Sequence, residues 1–338
     1  PELPVPTLAV YEPAGREAEK EALKLYRERY TGVFPADSLK GLKVVFYEHS
    51  AVGRDIIAEI LEKLGATLIR VSRSDKFVPV DTEKISKETL ELLKKWSSEH
   101  RPFAIVSTDG DSDRPLVADE KGAFIPGDKL GALAAMYLNP DFAAVPVSAN
   151  DAVVSALTSR GVKVKQTRIG SPYVVKAMID EMATSPSSKT VSWESNGGFL
   201  LGSAWVFAGK KLKELPTRDA VLPIVTLLMM AKKRGKAISE IVSEDMPARY
   251  TDAGVADNGT PGCEKYTAEM GTRIINAFSP ARKDILEAVF SKGEVKVPGA
   301  DISQADKENL KAIKDRLSSY FDRSKGFGEI KNINFVDG

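Results

Sequence analysis

PFAIVSTDGDSDRPLVADE, residues Pro102–Glu120, opens on one β-branched apolar run and closes on another, with Asp109, Asp111 and Asp113 at alternate positions between them. PFAIVST reads as a strand, the third in a segment that starts near Gly41. LKVVFYEHS is the first strand, GRDIIAEILEKLG has helical spacing with Gly65 as its stop, ATLIRV is the second strand, and TEKISKETLELLKKWSSEH is an amphipathic helix. Gly53 and Arg54 open the first of these helices. Strands separated by helices pair in parallel and need helical cover. The aspartates therefore fall at the carboxyl edge of a sheet, where open α/β folds take ligands. PLVADE behind them reads as a further strand.

Working outward, the same grammar returns after Leu138. FAAVPVS, VKVKQTRIG and KTVSWESNGGFLL read as strands, the last breaking into a loop, and NDAVVSALTSRG and SPYVVKAMIDEMA read as the helices between them. AVLPIVTLLMMA, residues Ala220–Ala231, is too short to span a bilayer, contains Pro223, and reads as a buried helix. After Asp245 the texture changes to a Gly/Pro-rich stretch through Gly262, then helical segments and a last strand, IKNINFVDG. The expected fold class is α/β: two consecutive mixed-sheet α/β domains and an incomplete α+β C-terminal domain. The expected boundaries are an N-terminal helical lead-in over 1–37, α/β domains over 38–136 and 137–245, and the incomplete domain over 246–338. Pro1 in place of methionine, and a last strand that reaches the turn pair Asp337-Gly338 without a second arm, lead us to expect truncation at both ends.

Composition narrows the function classes. With 48 basic and 47 acidic side chains in 338 residues, no global field favours nucleic acid or an anionic membrane. The single cysteine, Cys263, cannot form an intrachain disulfide, and a cytoplasmic location is expected. Oligomeric state is not readable from the sequence.

Three carboxylates within five residues repel one another, and Arg114 offsets only one charge. Hard oxygen ligands call for a divalent cation such as Mg²⁺ or Ca²⁺. Asp109, Asp111, Asp113 and Glu120 match positions one, three, five and twelve of an EF-hand, but position six is Arg114 where that loop requires glycine, and a strand leads in where it requires a helix. Mg²⁺ fits the loop better; a solvated acidic turn is the plain alternative. In SWESNGGFLL, Glu194 and Asn196 stand two apart before Gly197 and Gly198, a pattern that suits sugar hydroxyls and equally suits a tight turn. In TRIGSPYV, Arg168 and Ser171 precede a helix whose N-terminus could bind an anion, although Ser171-Pro172 is also an ordinary capping pair. His49 and Ser50 are adjacent on a strand and face opposite ways, which argues against a triad; His100 ends a helix.

Together these motifs resemble the α-D-phosphohexomutase superfamily of phosphomannomutases and phosphoglucomutases. TDGDSDR resembles its metal loop D-G-D-x-D-R, and WESNGG its sugar loop G-E-x-S-G, with Trp193 and Asn196 as departures. FIPGD, TRIGSPYV and LPTRDA follow in the family's order. The resemblance implies four domains around a cleft, of which this chain carries the second, the third and part of the fourth. The family's phosphoserine loop and terminal phosphate loop do not occur in it. It further implies exchange of hexose 6-phosphate and hexose 1-phosphate, of mannose or glucose, through a phosphoserine and a bisphosphorylated sugar. Mg²⁺ would sit on Asp109, Asp111 and Asp113, Arg114 would serve as the catalytic arginine, and Glu194, Asn196, Gly197, Arg168 and Ser171 would bind substrate. The fragment alone is expected to be inactive, and its expected partner is a hexose phosphate. Two rivals stand beside this reading: a non-catalytic module that binds metal or sugar phosphate, and a Mg²⁺-dependent phosphatase. The second usually has its aspartates after a first strand, and here they follow a third.

Overall fold

The alternation seen in the sequence forms as two five-stranded sheets in the structure, a computed structural model that describes residues 13–246, 268–291, 293–320 and 328–335. Cys263, the Gly/Pro-rich stretch up to Gly262, and Asp337-Gly338 lie outside these residues. The chain divides into two compact units, residues 1–250 and 251–338.

In the first unit, α1 (Pro13–Thr31) leads into β1 (Lys43–Tyr47), α2 (Arg54–Lys63), β2 (Thr67–Val71), α3 (Lys87–His100), β3 (Ala104–Thr108), β4 (Pro115–Ala118) and β5 (Phe124–Ile125). The strand order is β2-β1-β3-β4-β5, with β1 parallel to both β2 and β3 and the last two pairings antiparallel. The helical spacing of RDIIAEILEK turns Ile57, Ala58, Ile60 and Leu61 of α2 into the core. The amphipathic segment before β3 begins its helix later than its pattern suggests. Ser86 Oγ accepts the Thr89 backbone N–H at 3.1 Å and fixes the first turn at Lys87, leaving Thr82 to Ile85 in the preceding loop.

The second half of this unit runs α4 (Gly127–Leu138), β6 (Phe142–Pro146), α5 (Asp151–Thr158), β7 (Lys163–Thr167), α6 (Ser171–Thr184), β8 (Thr190–Trp193), β9 (Phe199–Leu201), β10 (Trp205–Phe207), β11 (Lys210–Leu212), β12 (Leu215–Asp219), α7 (Val221–Arg234) and α8 (Ile238–Asp245). Its sheet order is β12-β9-β8-β6-β7, with β6 parallel to β7 and β8. β6 is buried along its whole length, as expected of a strand covered on both faces. The apolar run from Ala220 becomes the buried α7, whose Pro223 sits in the first turn, where no hydrogen bond is lost. One continuous core joins the two sheets, from Tyr30, Phe34 and Val44 through Leu130 and Leu133 to Val191, Leu222 and Leu228.

The second unit contains α9 (Ala268–Phe278), β13 (Glu287–Ser291), β14 (Glu294–Lys296), α10 (Gln304–Tyr320) and β15 (Asn332–Asn334), with strand order β14-β13-β15. The last strand was expected to lack an arm. It instead pairs antiparallel with β13, Ile333 opposite Ala288, because Ile333 and Phe335 find apolar cover on a small core of Ile285, Phe290, Val295 and Leu310. Its partner comes from earlier in the chain, where a local reading of the turn pair could not find it.

Candidate active site

Strand order places the loops. In the first sheet the chain passes from β1 outward to β2 and then returns to β3 on the other side, so the loops after β1 and β3 meet at a topological switch point. There Val52 N donates to Gly110 O at 3.0 Å and Gly53 N to Ser112 Oγ at 2.8 Å. The acidic loop is the β3–β4 hairpin connection, closed by Asp109 N to Arg114 O at 3.0 Å and Arg114 N to Asp109 Oδ1 at 3.2 Å. His49 is fully buried behind it and contacts the Thr108 carbonyl through Nε2 at 2.9 Å. Burial lowers its pKa, in keeping with a neutral supporting role.

Asp109, Asp111 and Asp113 each offer one carboxylate oxygen, and these atoms all lie within 4.8 Å of one another. Burial pushes the Asp109 carboxyl up to about 6, and the adjacent Asp111 carboxylate adds to the rise against the Arg114 N–H. Asp113 is raised as well, by burial first, with Arg218 opposing. Its Oδ1 is buried with no hydrogen bond, although Arg114 Nε lies 3.7 Å away. Three converging carboxylates, two of them buried enough to be held above their ordinary range and one with an oxygen that has no hydrogen bond, are a donor set that a hard divalent cation satisfies. The loop therefore fits a hard divalent cation of the Mg²⁺ or Ca²⁺ kind.

The second sheet repeats the geometry. Its switch point lies between β6 and β8, and the loops after those strands touch through Ser148 Oγ and Ser195 Oγ at 2.8 Å. Glu194 follows β8, is 7% exposed, and accepts a hydrogen bond from Ser171 Oγ at 2.8 Å. Ser171 was expected by its local sequence to cap the helix, with substrate binding implied only by the family resemblance, and the capping reading fails. The cap residue of α6 is Gly170, and Ser171 is already inside the first turn, which frees its hydroxyl for Glu194. Asn196 is buried, and its Oδ1 accepts Gly198 N at 3.0 Å, so this part of its amide holds the turn. Gly197 adopts φ +88° and sits against the start of α4: a Cβ on Gly127 would come within 2.3 Å of Gly197 N. Thr82 Oγ1 donates to Asn196 O at 3.0 Å, tying the first half of the unit to this turn. Arg168, just past β7, is exposed and carries its guanidinium 5.8 Å from the centre of the Tyr173 ring.

The two loops meet through a residue to which the sequence reading gave no role. Arg218, in LPTRDA, places Nε 2.7 Å from Asp113 Oδ2 and Nη1 3.7 Å from Glu194 Oε2. Its position just before a buried aspartate at a helix start was the available signal. Its target, on another sheet, was invisible without the fold.

An α/β protein with a cation-competent acidic loop facing a carboxylate-bearing turn across paired sheets is the class these features define. The family description "Phosphoglucomutase/phosphomannomutase, alpha/beta/alpha domain II" matches residues 25–122, and that for domain III of the same proteins matches residues 126–249. A phosphomannomutase of Sinorhizobium fredii (strain NBRC 101917 / NGR234) is 44% identical over 279 residues, covering 82% of this chain and 56% of that protein. A phosphomannomutase of Salmonella muenchen is 44% identical over 230 residues, covering 68% of this chain and 47% of that protein. The chain thus spans about half the length of these curated relatives. The crystal structure of a phosphoglucomutase/phosphomannomutase family protein from Burkholderia thailandensis shares the fold at a TM-score of 0.59 and 15% identity, covering 92% of this chain and 71% of that one. The chain belongs to the α-D-phosphohexomutase superfamily.

Proposed function

We propose that this chain carries the metal loop and the sugar loop of a phosphohexomutase that interconverts hexose 6-phosphate and hexose 1-phosphate, of mannose or glucose, through a phosphoserine and a bisphosphorylated sugar. The observation that carries the proposal is the approach of Asp113 and Glu194 to one guanidinium, which joins the acidic loop and the sugar-loop turn into one polar site. Asp109, Asp111 and Asp113 would hold Mg²⁺. Bound there, the ion would supply positive charge to offset that on the transferring phosphoryl group. Arg114, ion-paired to Asp109 and Asp113 at 3.6 and 3.7 Å, turns its remaining donors to the phosphoryl oxygens. Glu194 accepts from sugar hydroxyls in an orientation fixed by Ser171, and Gly197 lets the sugar approach the backbone. Asn196 shapes the turn and offers its remaining amide donors; Arg168 is an outer contact for the substrate. Two orientations of the hexose are read alike because the contacts address hydroxyls common to both. Binding without turnover is the proposed behaviour of this chain alone, since the phosphoserine loop is not in its sequence. A cytoplasmic location belongs to the same proposal; no helix among the described residues is long and apolar enough to cross a membrane.

Calorimetric titration of Mg²⁺ into the chain, with and without mannose 1-phosphate, tests the reading. Binding that disappears in the Asp111→Asn, Asp113→Asn double variant supports it. Equal heats for the two proteins would reduce the acidic loop to a solvated turn and end the proposal.

A further inference from the structure

Arg218 lies where β12 slips against β9, between the Leu215–Leu201 and Asp219–Phe199 pairs. Bulged strands re-aim side chains away from the regular alternation, often beside functional sites. The stem of Arg218 passes over Gly198, where a Cβ would come within 2.8 Å of both Cγ and Cδ, so glycine at 198 clears its path. Arg114 is different: its two acidic partners belong to its own loop. Arg218 instead divides one positive charge between Asp113 of the first sheet and Glu194 of the second, and its side chain is 29% exposed, leaving the guanidinium open to the site.

We infer that Arg218 is a positioning residue that couples the two loops, so that divalent-cation binding at the aspartates and sugar-phosphate binding at the Glu194 turn strengthen each other through it; the inference rests on the function proposed above. A cation on Asp113 takes over the charge that Arg218 balances there. The guanidinium, with five donors in a rigid fork, is then available to Glu194 and to an oxyanion beside it. Linkage makes the effect reciprocal: sugar phosphate raises the affinity for the cation by the same factor.

The test is a set of calorimetric titrations of Mg²⁺ and mannose 1-phosphate, each with and without the other saturating, on the unsubstituted chain and on Arg218→Met, which keeps the length of the stem. Each ligand should tighten the other by about tenfold in the unsubstituted chain and by about twofold or less in the variant. Mg²⁺ alone should bind the variant about threefold more tightly, because a competing cation has left Asp113. A merely structural arginine would weaken Mg²⁺ binding when removed. An unchanged coupling factor, or weaker Mg²⁺ binding by the variant, overturns the inference while leaving the proposed function standing. Failure of the unsubstituted chain to bind Mg²⁺ overturns both.

Discussion

Asp109 is 7% exposed, and its carboxyl is held up to about 6 by burial and by Asp111. In the unfolded chain the same group titrates near 3.9. Between these values the folded state binds more protons than the unfolded one, so this residue's contribution to stability rises as pH falls from about 6 to about 4. Asp55 works the other way. Held at about 2 first by Arg73, and by Arg70 after it, it contributes stability above pH 4 that is lost as pH falls towards 2. Without divalent metal, Asp109→Asn should therefore raise the thermal midpoint at pH 7.5 and change it little at pH 4.5, as read by calorimetry at both pH values. Mg²⁺ affinity of the unsubstituted chain should fall as pH drops through 6, because protons compete for the same oxygens. At Gly127 the argument is steric. A methyl group there would meet Gly197 N at 2.3 Å and Ser195 O at 2.5 Å, backbone atoms that cannot rotate away. Gly127→Ala should cost about 1–3 kcal/mol by overpacking and weaken mannose 1-phosphate binding, measured by denaturant titration and calorimetry. The aspartates could be read from sequence because alternation, strand edge and charge coincide in one short segment. Arg218 could not, because its partners Asp113 and Glu194 lie on loops of two different sheets.

Among the elements, α1 and β12 are joined at a buried carboxylate. Asp219, 3% exposed, accepts from Tyr26 Oη at 2.7 Å and from Val221 N at 3.0 Å, pairs with Arg29 at 3.8 Å, and is also bonded by Tyr30 Oη. Burial raises the pKa of both tyrosines well above 10, with Asp219 adding to it, so they remain neutral donors. Asp219→Ala leaves two tyrosine hydroxyls and the Val221 N–H without their acceptor and Arg29 without its buried counter-charge, and should cost about 3–5 kcal/mol. Because Arg218 immediately precedes Asp219, mannose 1-phosphate binding should weaken too; urea denaturation and calorimetry on one preparation check both effects. Period and punctuation in the sequence were enough for the parallel strands β1, β2, β3 and β6, since each apolar or β-branched run was set off by neighbouring helical segments. They failed where a single side chain chose the boundary. Ser86 starts α3 late, and Ser171, a plausible cap by its neighbours, is drawn instead to Glu194 because Gly170 already occupies the cap position. The partner of β15 was hidden for another reason: Glu287 to Val289 pair with it from more than forty residues earlier.

At the scale of the whole molecule, the two units have separate cores. Residues 1–250 share the large cluster that runs through both five-stranded sheets, whereas 251–338 depend on Ile285, Ala288, Phe290, Val295, Val297 and Leu310. Among the described residues the two clusters share no member, so unfolding of each unit should follow its own packing, and a single two-state description should fail. Leu310, fully buried where α10 covers the β14-β13-β15 sheet, is the probe. Leu310→Ala removes packing atoms and leaves a cavity, at a cost of about 2–5 kcal/mol. Scanning calorimetry of the unsubstituted chain should resolve two transitions, and the variant should lower the midpoint of one alone. Mg²⁺ should raise the midpoint of the other, because Asp109, Asp111 and Asp113 lie in the first unit and a ligand stabilises only the structure that binds it. A single transition displaced by both the substitution and the metal would mean that the units unfold together, and the sugar and metal loops would then depend on the small C-terminal core for their stability.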